Sequence, residues 1–186
     1  RQGRTEYERG HIPGAVHLDV EVDLSAPGGR RGGPLGRHPW PDARQVSRVM
    51  GRIGVGPGVG VIAYDDQAGS VAARLWYVLR AYGHDAVAVL DGGLVKWSSE
   101  GRPLETSVPA PPEAAFSAEL RPGWVVTKQQ MLEREPTALV LDARAAVRYR
   151  GEQEPIDPRA GHIPGARNAP HAESLTGGAV PVFLMN

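Results

Sequence analysis

The hexapeptide Gly10-His-Ile-Pro-Gly-Ala15 occurs a second time in this chain, as Gly161-His-Ile-Pro-Gly-Ala166. The two copies are 161 − 10 = 151 residues apart, a spacing that matches the length of a domain rather than the period of a solenoid. We therefore interpret the chain as two copies of one domain within a single polypeptide.

The repeat also predicts which parts of each copy are missing. The apolar run Ala138–Leu141 in the second copy has a counterpart that would lie before Arg1. The apolar run Val59–Tyr64 in the first copy has a counterpart that would lie beyond Asn186. We therefore expect the sequence to lack the start of the first copy and the second half of the second copy.

The composition is that of an ordinary globular protein, with 41% hydrophobic and 23% charged residues among 186. The formal net charge of zero gives no electrostatic reason to expect nucleic acid or an acidic membrane as a partner. No apolar window approaches the roughly 18 residues of a membrane span. Cysteine is absent, so we expect no disulfide framework and no thiolate metal site in the visible part. We also expect no other metal and no cofactor.

Strand and helix patterns alternate along the chain, which predicts an α/β fold with parallel sheets covered on both faces. We divide the chain into a first domain at 1–102, a proline-rich linker at 103–122 and a second domain at 123–186. The first domain is predicted to contain an irregular Gly/Pro-rich loop at 25–41, a helix capped by Asp42 and running to Ile53, a strand at 59–64, a helix at 69–82 followed by Gly83, a strand at 87–90 and a short helix at 94–97. The second is predicted to open with a helix from Thr127 to Arg134 and a strand at 138–141.

The repeated hexapeptide favours a type II turn, because proline fixes φ at the first central position and glycine accepts a positive φ at the second. In this interpretation His11 and His162 are hydrogen-bonded parts of the turn. A catalytic histidine is the weaker alternative, because both copies keep the residue although only one site needs to work.

The stretch from Tyr64 to Ser70 links a predicted strand to a predicted helix, and such a loop points several backbone N–H groups at one spot. This cradle suits an anion or a thiolate. Its first residue is Asp65, which would repel an anionic substrate, so we expect Asp65 and Asp66 to cap the helix instead.

Three arginines lie close together after the strand of the second copy, and Arg144 and Arg148 would share one face of a helical turn. They allow two interpretations. One is a solvated face with local salt bridges, and the other is a clamp in which guanidinium groups bind an oxyanion.

Together these motifs resemble the tandem-domain rhodanese family of thiosulfate and 3-mercaptopyruvate sulfurtransferases. The resemblance covers nearly the whole chain and implies two rhodanese-like α/β domains, each a mostly parallel sheet flanked by helices, with the second incomplete. It rests on Tyr7-x-x-Gly-His-Ile-Pro-Gly-Ala15, Tyr64-Asp-Asp…Ala72-Ala-Arg-Leu-Trp76, Val89-Leu-Asp-Gly-Gly-Leu-x-x-Trp97 and Leu141-Asp-Ala-Arg…Arg148-Tyr-Arg-Gly…Gly161-His-Ile-Pro-Gly-Ala166.

The resemblance implies sulfur transfer through a cysteine persulfide in the second domain. Asp65 takes the place of that cysteine in the inactive first domain. The nucleophilic cysteine is expected beyond Asn186, so the 186 residues contain no catalytic residue and should be inactive.

The resemblance also assigns roles in the second copy. Arg148 matches the arginine that binds the substrate anion, whereas Arg150 and Glu154 lie in the same segment and match less securely. Asp142 matches a structural carboxylate that anchors the loop, and we group Arg144 with it.

The family further implies a small-molecule sulfur donor and a thiol or cyanide acceptor, with no nucleic acid and no membrane. We expect a cytoplasmic monomer. Two alternatives remain open: a non-catalytic rhodanese module that binds a partner or senses sulfide, and the related phosphatase branch with a longer Cys-x5-Arg loop.

Overall fold

The computed structural model of the chain describes residues 2–29 and 35–184. Arg1, five residues of the predicted loop at 25–41 and the last two residues of the predicted second domain therefore lie outside the described residues. In chain order the elements are α1 (Gln2–Arg9), α2 (Ala43–Arg52), β1 (Val61–Ala63), α3 (Ala72–Ala81), β2 (Val87–Val89), α4 (Gly93–Ser99), α5 (Lys128–Leu132), β3 (Leu141–Asp142), α6 (Ala146–Tyr149), β4 (Arg167–Asn168) and a 3-10 turn (His171–Ser174).

Two short parallel sheets form the centre of the fold. Strand β1 pairs with β2, with Ile62 opposite Ala88, and β3 pairs with β4, with Leu141 opposite Arg167. Parallel pairs of this kind need crossover connections, which α3 and the segment around α6 supply. The α/β class with parallel sheets is confirmed.

The hydrophobic core lies in the first copy, where α2 and α3 pack together beside the β1–β2 sheet. Met50 and Leu79 are fully buried, and each such side chain contributes roughly 1.5–3 kcal/mol through burial. The whole cluster consists of Leu24, Val46, Val49, Met50, Val55, Val78, Leu79 and Tyr82.

Local signals in the first copy predicted its helices better than its strands. Helix α2 begins after Asp42, whose Oδ1 accepts a hydrogen bond from Gln45 N at 2.7 Å, as predicted. Gly83 follows α3 with φ +90°, which also matches the prediction. The strands are shorter than predicted, and Ile62 is 68% exposed. The expectation that both sheet faces are covered is therefore wrong at Ile62, whose side chain is largely open to solvent.

Residues 103–122 run along the first copy without forming a helix or a paired strand of their own. Their backbone is held by N–H groups that donate to the first copy: Ala114 N to Gly51 O at 2.9 Å and Ala118 N to Ser47 Oγ at 3.0 Å. Near the end of this segment, Arg121 forms a two-pronged ion pair with Asp85. We call residues 103–122 the strap.

The described part of the second copy has little apolar core. Thr127 caps α5 and forms a reciprocal capping box with Gln130, as the sequence predicted. The predicted strand at 138–141 is displaced to Leu141–Asp142, and Leu141 is exposed. Ala166 is the one buried hydrophobic residue among the described residues after 122.

Replacing Asp42 with alanine should destabilise the chain by about 1 kcal/mol, because the Gln45 amide loses its cap. Chemical denaturation monitored by circular dichroism measures the change. Asp66→Ala is the matched control, since Asp66 is exposed and makes no hydrogen bond within the described residues. Equal effects of the two variants would contradict the prediction.

Candidate functional site

Each copy of the hexapeptide forms the same unit with a tyrosine from the preceding helix. In the first copy Tyr7 Oη donates to Ala15 O at 2.7 Å, and the Tyr7 ring stacks on His11 with centroids 3.8 Å apart. In the second copy Tyr149 Oη donates to Ala166 O at 2.8 Å and stacks on His162, also at 3.8 Å. We call this arrangement the Tyr–His unit.

The turn inside each unit is a type II turn, as predicted. Gly14 and Gly165 both have φ +80°, and the alanine N–H after each glycine donates to the isoleucine carbonyl before the proline at 3.0 Å. In both copies the histidine Nδ1 lies within 2.8 Å of the carbonyl oxygen of its own tyrosine. His11 and His162 thus contact the turn and the helix; their structural role remains a prediction.

The two histidines differ in their surroundings. His11 is buried, with 1% of its surface exposed, and its Nε2 lies 3.1 Å from Ser107 O and 3.7 Å from Glu105 Oε1 of the strap. His162 is exposed. The strap therefore covers the Tyr–His unit of the first copy, whereas that of the second remains open in the described structure.

Asp65 occupies the predicted cradle of the first copy with its own carboxylate. Oδ1 accepts hydrogen bonds from Gln67 N and Gly69 N, both at 2.8 Å, and Oδ2 accepts from Val71 N and Ala72 N at 2.7 and 2.8 Å. The expectation that both aspartates cap the helix is thus half right, because Asp66 points to solvent. Four backbone amides thus converge on the carboxylate of Asp65.

The second copy covers this cradle. A side chain added at Gly69 would come within 2.7 Å of the Phe183 ring, so the ring lies directly against the loop. Phe183 N also donates to Asp91 Oδ1 at 2.8 Å. The amides of the first-copy cradle are thus already bonded to Asp65, and the Phe183 ring lies against the loop.

Asp142 and Arg144 anchor the loop after β3. Arg144 forms a two-pronged ion pair with Asp142, with Nε–Oδ1 at 2.9 Å and Nη2–Oδ2 at 2.6 Å, and its Nη2 also donates to Gly161 O. This guanidinium lowers the pKa of Asp142 and in turn has its own pKa raised. The pair ties β3 to the second hexapeptide.

Glu154 lies at the centre of a mixed charge cluster in the second copy. Arg148 donates to both of its oxygens, at 2.8 and 3.2 Å, and Arg144 donates to one of them at 3.3 Å. The backbone N–H groups of Ile156 and Asp157 donate to it as well. The bonds from Arg148 and then from the Asp157 amide lower the pKa of Glu154 from 4.5 to about 2.

The candidate anion-binding arginines have different neighbours. Arg148 is 16% exposed, and its Nη2 also donates to Asp157 Oδ2 at 3.0 Å. Arg150 instead pairs with Glu152 on the exposed surface, at 2.6 and 2.9 Å, and the bond from Arg150 lowers the pKa of Glu152. The structure thus brings Asp142, Arg144, Arg148 and Glu154 together and leaves Arg150 outside.

The sequence reasoning missed Asp157, although one signal pointed to it. Tyrosine and histidine of the Tyr–His unit are four residues apart in the first copy and 13 apart in the second. The nine extra residues, within 151–161, carry both Glu154 and Asp157. A cleft of about 600 Å³ opens beside them and is lined in part by Arg144, Asp157, Arg159 and His162.

Comparison with known proteins agrees with this geometry. The rhodanese-like domain profile matches residues 2–100, more than half of the chain. The chain belongs to the rhodanese family. Among curated rhodanese relatives, human 3-mercaptopyruvate sulfurtransferase is 38% identical over 184 residues, which cover 95% of this chain and 59% of that protein. Thiosulfate sulfurtransferase from Gallus gallus is 35% identical over 182 residues, covering 95% of this chain and 60% of that protein.

Solved rhodanese structures show the same fold. SseA from Escherichia coli, described as a 3-mercaptopyruvate sulfotransferase with the rhodanese fold, superposes with a TM-score of 0.79 at 36% identity. The match covers 97% of this chain and 66% of SseA. The chain thus spans about 60% of the length of the curated relatives it matches.

Within 2–29 and 35–184, no helix is long and apolar enough to cross a membrane. In the same ranges no group of three or more His, Cys, Asp or Glu side chains is placed to hold a metal ion.

Placing a thiol in the first-copy rhodanese cradle tests whether its four amides stabilise an anion. We expect Asp65→Cys to have a thiol pKa at least about one unit below that of Asp66→Cys, because amides and a helix N-terminus favour the thiolate. The pH dependence of alkylation by iodoacetamide measures both values. A higher pKa at position 65 than at 66 would show that burial outweighs the amides.

The lowered pKa of Glu154 predicts an acid-dependent loss of stability. Because the pKa is lower in the folded chain, the carboxylate stabilises the fold above pH 4.5 and loses this effect as pH falls towards about 2. The melting temperature of Glu154→Gln should therefore lie below that of the parent at pH 6, and the gap should close on acidification. Melting curves between pH 6 and 2 measure it, and a gap independent of pH would refute the assignment.

Proposed function

We propose that this chain is part of a sulfurtransferase that takes a sulfane or thiol sulfur from a small anionic donor and passes it to a thiol or to cyanide. Family membership supports the reaction class, and the names of the relatives supply two donors, thiosulfate and 3-mercaptopyruvate. Because the chain spans about 60% of those relatives, the activity is proposed for the whole protein.

The proposed transfer has two steps and needs a thiolate. The thiolate attacks the outer sulfur of thiosulfate, the S–S bond breaks, and sulfite leaves with the electron pair. The resulting persulfide then gives its outer sulfur to cyanide, which becomes thiocyanate, and the thiolate is regenerated. With 3-mercaptopyruvate the broken bond is C–S and the leaving group becomes pyruvate after protonation. This chain contains no cysteine, so we propose that the nucleophile lies outside residues 1–186.

The observation that carries the proposal is the position of Arg148 beside the second Tyr–His unit. Glu154 holds one edge of its guanidinium through two hydrogen bonds, which fixes the direction of the remaining N–H groups. A guanidinium fixed in this way suits the sulfonate-like end of thiosulfate or the carboxylate of 3-mercaptopyruvate. Glu154, itself an acid with its oxygens already bonded, is better suited to position Arg148 than to bind substrate.

The organisation of the whole protein is part of the same proposal. We divide the chain into an inactive first domain at 1–102, a linker at 103–122 that is the strap, and the first part of a catalytic domain at 123–186. The filled cradle at Asp65 supports the inactive role of the first domain. We further propose a cytoplasmic monomer without a nucleic-acid or membrane partner.

A non-catalytic rhodanese module is the second candidate. The filled and covered cradle of the first copy favours it, since that cradle can take neither a substrate anion nor a persulfide. A sulfur-transfer assay of the whole protein separates the two candidates. Formation of thiocyanate from thiosulfate and cyanide, or of pyruvate from 3-mercaptopyruvate and a thiol, supports the enzyme, and the 186-residue chain alone should form neither.

Arg148→Ala in the whole protein should raise KM for the sulfur donor by about tenfold or more, because the anionic end loses a charged hydrogen-bond donor. Arg148→Lys should recover only part, since a point charge lacks the fork. Steady-state kinetics measure both variants. Arg9→Ala, which removes an exposed arginine from α1, is the control and should behave as the parent. Parent-like kinetics for Arg148→Ala would remove the residue from the site.

A further inference from the structure

Two carboxylates contact Arg148, and they are held very differently. Glu154 is 5% exposed and accepts hydrogen bonds from two arginines and two backbone amides. Asp157 is 40% exposed, and among the described residues its carboxylate accepts one hydrogen bond, from Arg148 Nη2. Displacing Glu154 would leave several donors unpaired, whereas displacing Asp157 would free only one and return its carboxylate to water.

The guanidinium geometry shows which donors Asp157 occupies. Nη2 carries two hydrogens: one points to Glu154, which also binds Nε, and the other points to Asp157. Nη1 donates no hydrogen bond within the described part of the chain. An anion that approaches end-on and uses both terminal nitrogens therefore needs the hydrogen that Asp157 accepts.

Asp157 faces the cleft and is bonded to Arg148. Asp157 lines the cleft together with Arg144, Arg159 and His162, whereas Arg148 is not part of the lining. An anion in the cleft would therefore lie beside the Asp157 carboxylate that Arg148 binds. The first copy has no counterpart to this arrangement, because Asp157 belongs to the nine extra residues of the second.

We infer that Asp157 is an exchangeable internal anion, which occupies one of the end-on donors of Arg148, a hydrogen of Nη2, until the anionic end of the sulfur donor displaces it. The inference rests on the proposed function of Arg148. Asp157 takes no part in the chemistry; it sets the affinity and selectivity of the site. Since a donor must compete with Asp157, its apparent affinity is lower than the intrinsic affinity of Arg148. A dianion such as thiosulfate competes better than a neutral compound, so the device favours charged donors.

The test removes the competitor and keeps the arginine. In the whole protein, Asp157→Asn should lower KM for thiosulfate and for 3-mercaptopyruvate about threefold to tenfold, with kcat changed less than about twofold. The dissociation constant of sulfite, measured by calorimetry, should fall by a similar factor. Asp157→Glu keeps the negative charge, so its KM and its dissociation constant for sulfite should be close to those of the parent protein.

Glu152→Gln is the matched control, because it removes the same charge from the same nine-residue addition. Glu152 pairs with Arg150 on the surface and not with Arg148. The effect of Glu152→Gln should be smaller and should vanish at about 0.5 M salt, where long-range fields are screened, while that of Asp157→Asn persists. If Glu152→Gln and Asp157→Asn increased the affinity for the donor equally, the inference would be overturned, because a general change in the electrostatic field would explain both. Parental KM and sulfite binding for Asp157→Asn, with a raised KM for Arg148→Ala, would overturn it and leave the proposed function standing. If Arg148→Ala also leaves KM and sulfite binding unchanged, the proposed binding of the substrate anion by Arg148 is refuted as well.

Discussion

The contact between tyrosine and histidine around the Pro-Gly turn is the constraint on which both copies depend. In each copy the tyrosine hydroxyl joins a helix to the carbonyl after the turn, and the stacked imidazole joins the turn back to that helix. In the second copy β4 begins one residue after Ala166, so the unit sets the position of α6 relative to the sheet. Since Ala166 is the one buried hydrophobic residue of the described second copy, polar contacts rather than core packing carry much of its order.

The copies diverge in what they add to this shared unit. The first adds the strap, whose Ser107 and Glu105 approach His11 and bury it. The second adds nine residues between the tyrosine and the histidine, and these carry the acids that surround Arg148. A rigid turn that tolerates additions on one side offers a way to build a charged site without changing the fold, since the added loop runs over the surface.

Local signals predicted the parts of this structure that local interactions decide. The caps at Asp42 and Thr127 follow from side chains that bond their own helix, so neighbouring residues suffice to foresee them. The exposure of Ile62 could not be foreseen, because an apolar run indicates that a residue can be buried and not which element covers it. The strand–loop–helix cradle was predictable from its pattern. That Asp65 alone, and not Asp66 with it, binds these amides was not, because the path of the loop decides where each carboxylate points.

In each copy a carboxylate accepts hydrogen bonds from groups that could bind an anion: Asp65 in the first and Asp157 in the second. The two carboxylates differ in how easily an incoming anion could displace them. Asp65 accepts four backbone hydrogen bonds under the Phe183 ring, so an incoming anion would have to replace all four contacts and move an aromatic side chain. Within the described part of the chain, Asp157 accepts one hydrogen bond and lines an open cleft. An internal anion with many buried contacts closes a site, because unpaired buried donors are costly. An internal anion with one exposed contact keeps an arginine paired and in place while the site is empty, and it can be displaced by an anion of comparable charge. The number of bonds and the burial of the carboxylate, rather than its presence, therefore distinguish a closed cradle from a site that is held ready.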